Sequence, residues 1–214
     1  AESLLAMSRV CEVTWALDEA RDYIKQEEAH ASSQESELLI RIWSRKLEME
    51  LWEESFDKDR LRSLTMEIAT ELTNGWNQYH KVGPGYLLGT LYGALGSVDE
   101  VRSADRLRTL LESIADDKKR SFHHGAAQCL RRHGAIADSI SHYEQSRNDI
   151  WCRIQCGRAY AAIRDYEGQL RCALQARELA KENAPPAWTD VGIDNEIALA
   201  YKNLGRTAES QEVF

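Results

Sequence analysis

Proline is scarce in this sequence: Pro84, Pro185 and Pro186 are the whole supply across 214 residues. Glycine is modest, and no stretch alternates apolar and polar residues with the period of a strand. A chain so poor in breakers, and rich in Ala, Leu, Glu and Arg, favours helix over most of its length. Long apolar runs are missing too. None approaches the roughly 18 residues that a membrane span needs, and no secretory leader is visible. Catalytic signatures are equally absent: there is no glycine-rich phosphate loop, no His-Glu-x-x-His pair and no nucleophile elbow. The adjacent pairs Glu27-Glu28 and Glu53-Glu54 diverge around a helix, which makes poor acid–base partners. The expectation is a protein that is not an enzyme and needs no cofactor. Its first residue is Ala1 and its last, Phe214, falls inside a helical pattern, so the chain reads as a piece of a longer protein.

Five cysteines are present: Cys11, Cys129, Cys152, Cys156 and Cys172. The number is odd and all fall in helical, mostly apolar patterns. Reduced, buried thiols in an intracellular, cytoplasmic protein are therefore expected rather than a disulfide framework. The formal charge of −8 is uneven: residues 1–80 hold 17 acidic and 9 basic side chains, and residues 81–214 hold 18 of each. An acidic front argues against nonspecific nucleic-acid binding. It suits a solvated helix surface or a basic partner.

Helical period is what the sequence does have. Residues 2–29 read as one long helix, residues 34–54 as a second opened by Ser32 or Ser33, and a third runs from Ser55 or Asp57 to Thr73 with Asn74-Gly75 as its C-cap. Gly83-Pro84-Gly85 is the clearest break and separates an acidic helical region, residues 1–80, from residues 84–214. Beyond it the same grammar recurs. Gly89, Gly157 and Ala198 each precede a tyrosine by three residues, Tyr92, Tyr160 or Tyr201; Ala127 takes the small position before Leu130. Four residues after the tyrosine or leucine comes a turn position: Gly96, Gly134, Arg164 or Gly205. The helix after Gly96 is expected to run through Ile114 and to be closed by the charge cluster Asp116-Asp117-Lys118-Lys119-Arg120, with the next starting near Ser121.

This grammar resembles the tetratricopeptide repeat, and the tail from Asn195 to Glu209 carries the likeness most fully. The turn positions lie 38, 30 and 41 residues apart, against about 34 in the usual repeat, so the resemblance is to an irregular array. It implies an all-α fold of antiparallel helix pairs stacked in a right-handed superhelix. It also implies a scaffold that binds a partner protein or an acidic peptide in a concave groove lined by the first helix of each pair. Carried over residue by residue, the ligand-facing positions are Tyr86, Thr90, Gly93 and Ala94; His124, Gln128, Arg131 and Arg132; Ile154, Arg158, Ala161 and Ala162; Asn195, Leu199, Lys202 and Asn203. The polar set expected to hold the partner is His124, Gln128, Arg131, Arg132, Arg158, Asn195, Lys202 and Asn203. Four of the sixteen positions are basic and none is acidic, and Arg is suited to bidentate bonds with carboxylates. No nucleic acid and no membrane insertion are expected. Two alternatives stand beside this reading: a regulatory or targeting module of a larger enzyme, and a homo-oligomerisation module using residues 1–80.

Cys129 and His133, and Cys152 and Cys156, sit at i,i+4 spacings on the first helices of two successive pairs. Structural zinc favours knuckles with closer ligands, so these read as packing residues and no metal is expected. If the thiols are all reduced, every one of the five cysteines should react with a thiol reagent in denaturant without reductant. Loss of two or four reactive thiols would place the protein in an oxidising compartment instead.

Overall fold

A computed structural model describes residues 4, 6–8, 16–31, 35–52, 57–97, 107, 109–113, 116–146, 149–183 and 187–213. Among them the chain is helical throughout and contains no strand, in keeping with the shortage of breakers. The elements are α1 (Leu17–His30), α2 (Ser36–Trp52), α3 (Lys58–Asn74), α4 (Trp76–Tyr79) with a 3-10 turn (His80–Val82), α5 (Gly85–Ser97), α6 (Asp116–Arg132), α7 (Ile136–Glu144), α8 (Ile150–Ala162), α9 (Tyr166–Asn183), α10 (Ala187–Asn203) and α11 (Thr207–Glu212). No described helix is long and apolar enough to cross a membrane. Two compact units divide the chain, residues 1–129 and residues 130–214. The Gly83-Pro84-Gly85 break, with Gly83 left-handed at φ 66°, lies within the first.

In the first unit, Ala20 and Ile24 of α1 pack against Leu38, Ile42 and Met49 of α2. A larger core joins Leu47 of α2, Leu61, Ile68 and Leu72 of α3, and Leu87, Leu88, Leu91 and Leu95 of α5. Those α5 leucines share one arc of the helix, but Gly89, Thr90, Gly93 and Ala94 on its other sides are buried too, so α5 is surrounded rather than lying on the surface. Asp57 opens α3 as the sequence suggested, its carboxylate accepting from the amides of Asp59 and Arg60 at 3.0 Å. The single helix expected over residues 2–29 is interrupted at Ala16, the non-helical N-cap of α1 at φ −84° and ψ 64°; the candidate caps Ser32, Ser33 and Ser55, and residues 9–15, lie outside the described residues.

Two glycines decide how α5 meets α6. A Cβ on Gly89 would sit 1.9 Å from the Phe122 carbonyl oxygen, and one on Gly125 would sit 2.4 Å from the Tyr86 carbonyl oxygen. The helices therefore touch backbone to backbone, with Phe122 and Ala126 buried beside the crossing.

The second unit is a chain of helix hairpins closed in one repeated way. Gly134, Arg164 and Gly205 are left-handed at φ 80°, 62° and 74°. At each, the left-handed residue's amide bonds the carbonyl three residues back and the following amide bonds the one five back: Ala135 to Leu130 at 3.0 Å, Asp165 to Tyr160 at 3.0 Å, Arg206 to Tyr201 at 2.9 Å. This is the Schellman closure, and its anchors are the tyrosine and leucine positions of the sequence pattern. Asp165 then caps α9, accepting from the Gly168 amide at 2.8 Å. Between the turns, Ile154, Leu170, Ala173, Ala176, Ala180, Ile193, Ile197 and Ala200 form the core of α8, α9 and α10. The alanine face of α9 lets both neighbours come close.

Three local expectations need correcting. The Asp116–Arg120 cluster opens α6 instead of closing the preceding helix; acidic residues at a helix start are favoured by the macrodipole. Gly96 lies inside α5 and is not left-handed. Gly75 ends α3 at φ −91° and ψ 14°, without the left-handed cap, because the chain passes directly into α4.

Arg164 is the one non-glycine left-handed residue among the described residues. Arg164→Gly should therefore raise stability by about 0.5–1 kcal/mol, and Gly134→Ala should lower it by about 1 kcal/mol. Gly89→Ala should cost about 3 kcal/mol or more, because a carbonyl oxygen stands where its Cβ would go. Urea midpoints would rank the three variants.

Candidate functional site

α8 and α10 each show one exposed stripe. On α8 it runs Trp151, half-buried Gln155, Arg158 and Ala162; on α10 it runs Val191, Asn195, Leu199 and Lys202. Steps of three and four residues keep each set on one side of its helix. The opposite side of α8 is fully committed, with Cys152, Ile154, Cys156, Gly157 and Ala159 buried. Trp151, Val191 and Leu199 are 43%, 59% and 47% exposed. Large apolar side chains are thus presented to solvent beside polar ones.

An ion pair ties the two stripes together. Arg158 reaches Glu196 of α10, with Nε at 2.8 Å and Nη2 at 2.6 Å from the same carboxylate oxygen. The Glu196 side chain is only 11% exposed, that of Arg158 47%. One partner is sheltered and the other half in water, which makes the pair stronger than a free surface bridge and weaker than a buried one. On the other flank, Arg131 donates to Gln155 at 2.9 Å, bringing the end of α6 against α8. Arg131 also stands beside Tyr143, whose hydroxyl burial pushes up to about 12 despite that cation.

The expected site residues separate accordingly. Arg158, Asn195 and Lys202 fall on the exposed α8–α10 face, and Arg131 reaches its edge. Arg132 is exposed at the end of α6. Asn203 is exposed yet donates to Gln169 of α9 at 3.1 Å. His124 and Gln128 belong to the first unit, where both meet Tyr86: the His124 ring lies edge-on at 5.8 Å and the Tyr86 hydroxyl donates to Gln128 at 2.8 Å. Among the remaining positions, Thr90, Ala94 and Ile154 are buried. Sequence reasoning missed Trp151, Gln155 and Val191, which a stripe drawn from solvent exposure on α8 and α10 selects. It also missed Glu196. The absence of acidic residues among the sixteen positions is offset by one carboxylate contributed from just outside them.

The described cysteines, Cys129, Cys152, Cys156 and Cys172, are unbridged and buried. Burial alone lifts the Cys129 thiol to about 12, so it is inert near neutral pH. Elsewhere in the unit, a cleft of about 710 Å³ follows α9, lined by Leu170, Leu174 and Leu179 with Glu167, Glu178 and Glu182.

A scan of protein-family models matches none to this chain, and no curated protein matches it.

The Arg158–Glu196 pair makes charge reversal at Arg158 a structural change as well as a surface one. Arg158→Glu sets a second carboxylate against sheltered Glu196 and should lower stability by about 1–2 kcal/mol. Lys202→Glu, on the open part of the same face, should stay within about 0.5 kcal/mol of wild type. Thermal unfolding of both variants would separate the two roles.

Proposed function

We propose that this chain is a protein–protein interaction module, built from tetratricopeptide-like helix hairpins, whose second unit holds a segment of another protein on the α8–α10 face. The recurrent Schellman closures at Gly134, Arg164 and Gly205 support the repeat reading. The observation that carries the binding reading is the exposed trio Trp151, Val191 and Leu199 beside Arg158, Asn195 and Lys202. Interfaces concentrate their energy in a few apolar or aromatic anchors ringed by polar groups, with Trp the most frequent anchor. A preformed helical face spends little ordering entropy of its own, so the partner segment supplies most of that cost.

The chemistry of the face favours one kind of partner. Trp151, Val191 and Leu199 offer apolar surface to a partner's side chains, and Asn195 offers an amide able to bond a peptide backbone. Lys202 offers a cation to a carboxylate. Arg158 is already matched by Glu196, so the preference for acid is narrower than four basic residues suggested. Apolar anchoring with one or two acidic contacts is the expected pattern.

Affinity capture with the intact chain, followed by titration of the recovered partner, tests this reading. Trp151→Ala should weaken binding by about 2 kcal/mol, roughly thirtyfold, and Leu199→Ser should weaken it comparably. Raised salt should weaken it modestly. Leu174→Ser, in the α9 cleft, should leave it unchanged. If Leu174→Ser costs as much as Trp151→Ala, the cleft and not the α8–α10 face is the site. If Trp151→Ala is silent, the face has no binding role.

A further inference from the structure

Glu144 at the end of α7, Cys156 on α8 and Cys172 on α9 bring one carboxylate oxygen and two sulfurs within 4.8 Å of one another. Both cysteines are fully buried, and Cys156 Sγ lies 3.8 Å from Glu144 Oε1. The helix crossing explains the meeting. Gly157, next to Cys156, has no side chain, and a Cβ there would lie 3.3 Å from the Cys172 Cβ. α8 and α9 therefore approach closely enough for their thiols to share one space. The Glu144 side chain is 28% exposed, so of the three groups the carboxylate is the one that reaches solvent. A buried cation stands beside the same carboxylate. The Arg153 guanidinium is 1% exposed, lies 3.4 Å from Glu144 Oε2, and its Nε has no hydrogen-bond partner.

We propose that Glu144, Cys156 and Cys172 form a binding site for one divalent ion of the zinc type. A point among three atoms no more than 4.8 Å apart lies within about 2.8 Å of each, so side-chain movements of at most about 0.5–0.8 Å reach the usual zinc–sulfur and zinc–oxygen lengths. Two sulfurs with one oxygen select a borderline-soft ion over magnesium or calcium, which demand oxygen shells. Water entering past Glu144 supplies a fourth donor. The exchange balances: two S–H bonds break, two S–metal bonds form, and two protons leave to solvent as one dication arrives. The net charge of the cluster is the same before and after. Arg153 and Glu144 already offset each other, so neither state leaves a net charge buried. The site differs from the Cys129, His133, Cys152 and Cys156 set considered from spacing, sharing only Cys156. It is independent of the α8–α10 binding face, so failure of one leaves the other standing.

Cobalt(II) is the direct probe, added to the intact, reduced protein. One equivalent should bind and give a near-ultraviolet thiolate-to-cobalt charge-transfer band, and zinc should displace it. Zinc should also raise the unfolding temperature of wild type. X-ray absorption of the zinc-loaded wild type should show a shell of two sulfurs with oxygen or nitrogen, a result that needs no variant. Cys156→Ser and Cys172→Ser should each abolish the band, Glu144→Gln should weaken cobalt binding at least tenfold, and Cys152→Ser should retain it. No stoichiometric binding, a shell without sulfur, or a band that survives Cys156→Ser and Cys172→Ser together would overturn the proposal.

Discussion

A buried positive charge fixes the middle of the second unit. Arg153 is among the largest fully enclosed side chains, and its one guanidinium reaches three groups on two neighbouring helices. Nη2 donates to the Tyr143 carbonyl at the end of α7 at 2.5 Å; Nη1 donates to Gln175 of α9 at 3.2 Å and faces Glu144 at 3.4 Å. Desolvating a guanidinium is expensive unless its donors are used. The unit meets that demand by placing a helix C-terminus, with its negative dipole end, against the charge. Directional bonds of this kind set register in a way that the surrounding alanines and isoleucines do not. The hairpin of α8 and α9 can be packed in many ways as apolar surfaces. Very few also bring Arg153 within reach of Tyr143, Gln175 and Glu144 together.

The position of α8 follows from that constraint, and with it the face that α8 shows to solvent. Burying Arg153 and Ile154 turns Trp151, Gln155 and Arg158 outward. Arg158 then finds Glu196, which brings α10 alongside. The exposed stripe and the buried Cys156 are thus two sides of one helix, each determined by where a single charged residue had to go.

Local chemistry was legible in the sequence, and pairing over distance was not. The turn positions Gly134, Arg164 and Gly205 could be read because a left-handed closure has a short signature: a small residue, an aromatic or leucine, then the turn. The Asp57 cap was legible for the same reason. All-helical character followed from the lack of breakers. Arg153 was visible as a basic residue inside the apolar run from Trp151 to Ile154, but its partners lie 10 and 22 residues away and nothing in the local pattern names them. The same holds for Arg158 and Glu196, 38 residues apart. Asp116–Arg120 was misplaced because a charge cluster suits either end of a helix, and only the packing of Phe122 and Ala126 on α5 decides which. The candidate site was therefore half readable: the helices that carry it were evident, whereas the rotation of each helix was not.

The crossing of α5 and α6 bears on how this molecule can change over generations. Most helix contacts are cushioned by side chains, and a substitution on one side can be absorbed by a smaller or re-angled neighbour on the other. At Gly89 and Gly125 no cushion exists, since each faces main-chain atoms of the opposing helix. Main chain cannot be exchanged for something smaller, so no second-site change nearby can rescue a side chain added there. These two positions should behave as fixed points in the drift of the sequence, tolerating glycine alone. The residues around them, including the leucines of α5, remain open to compensated replacement.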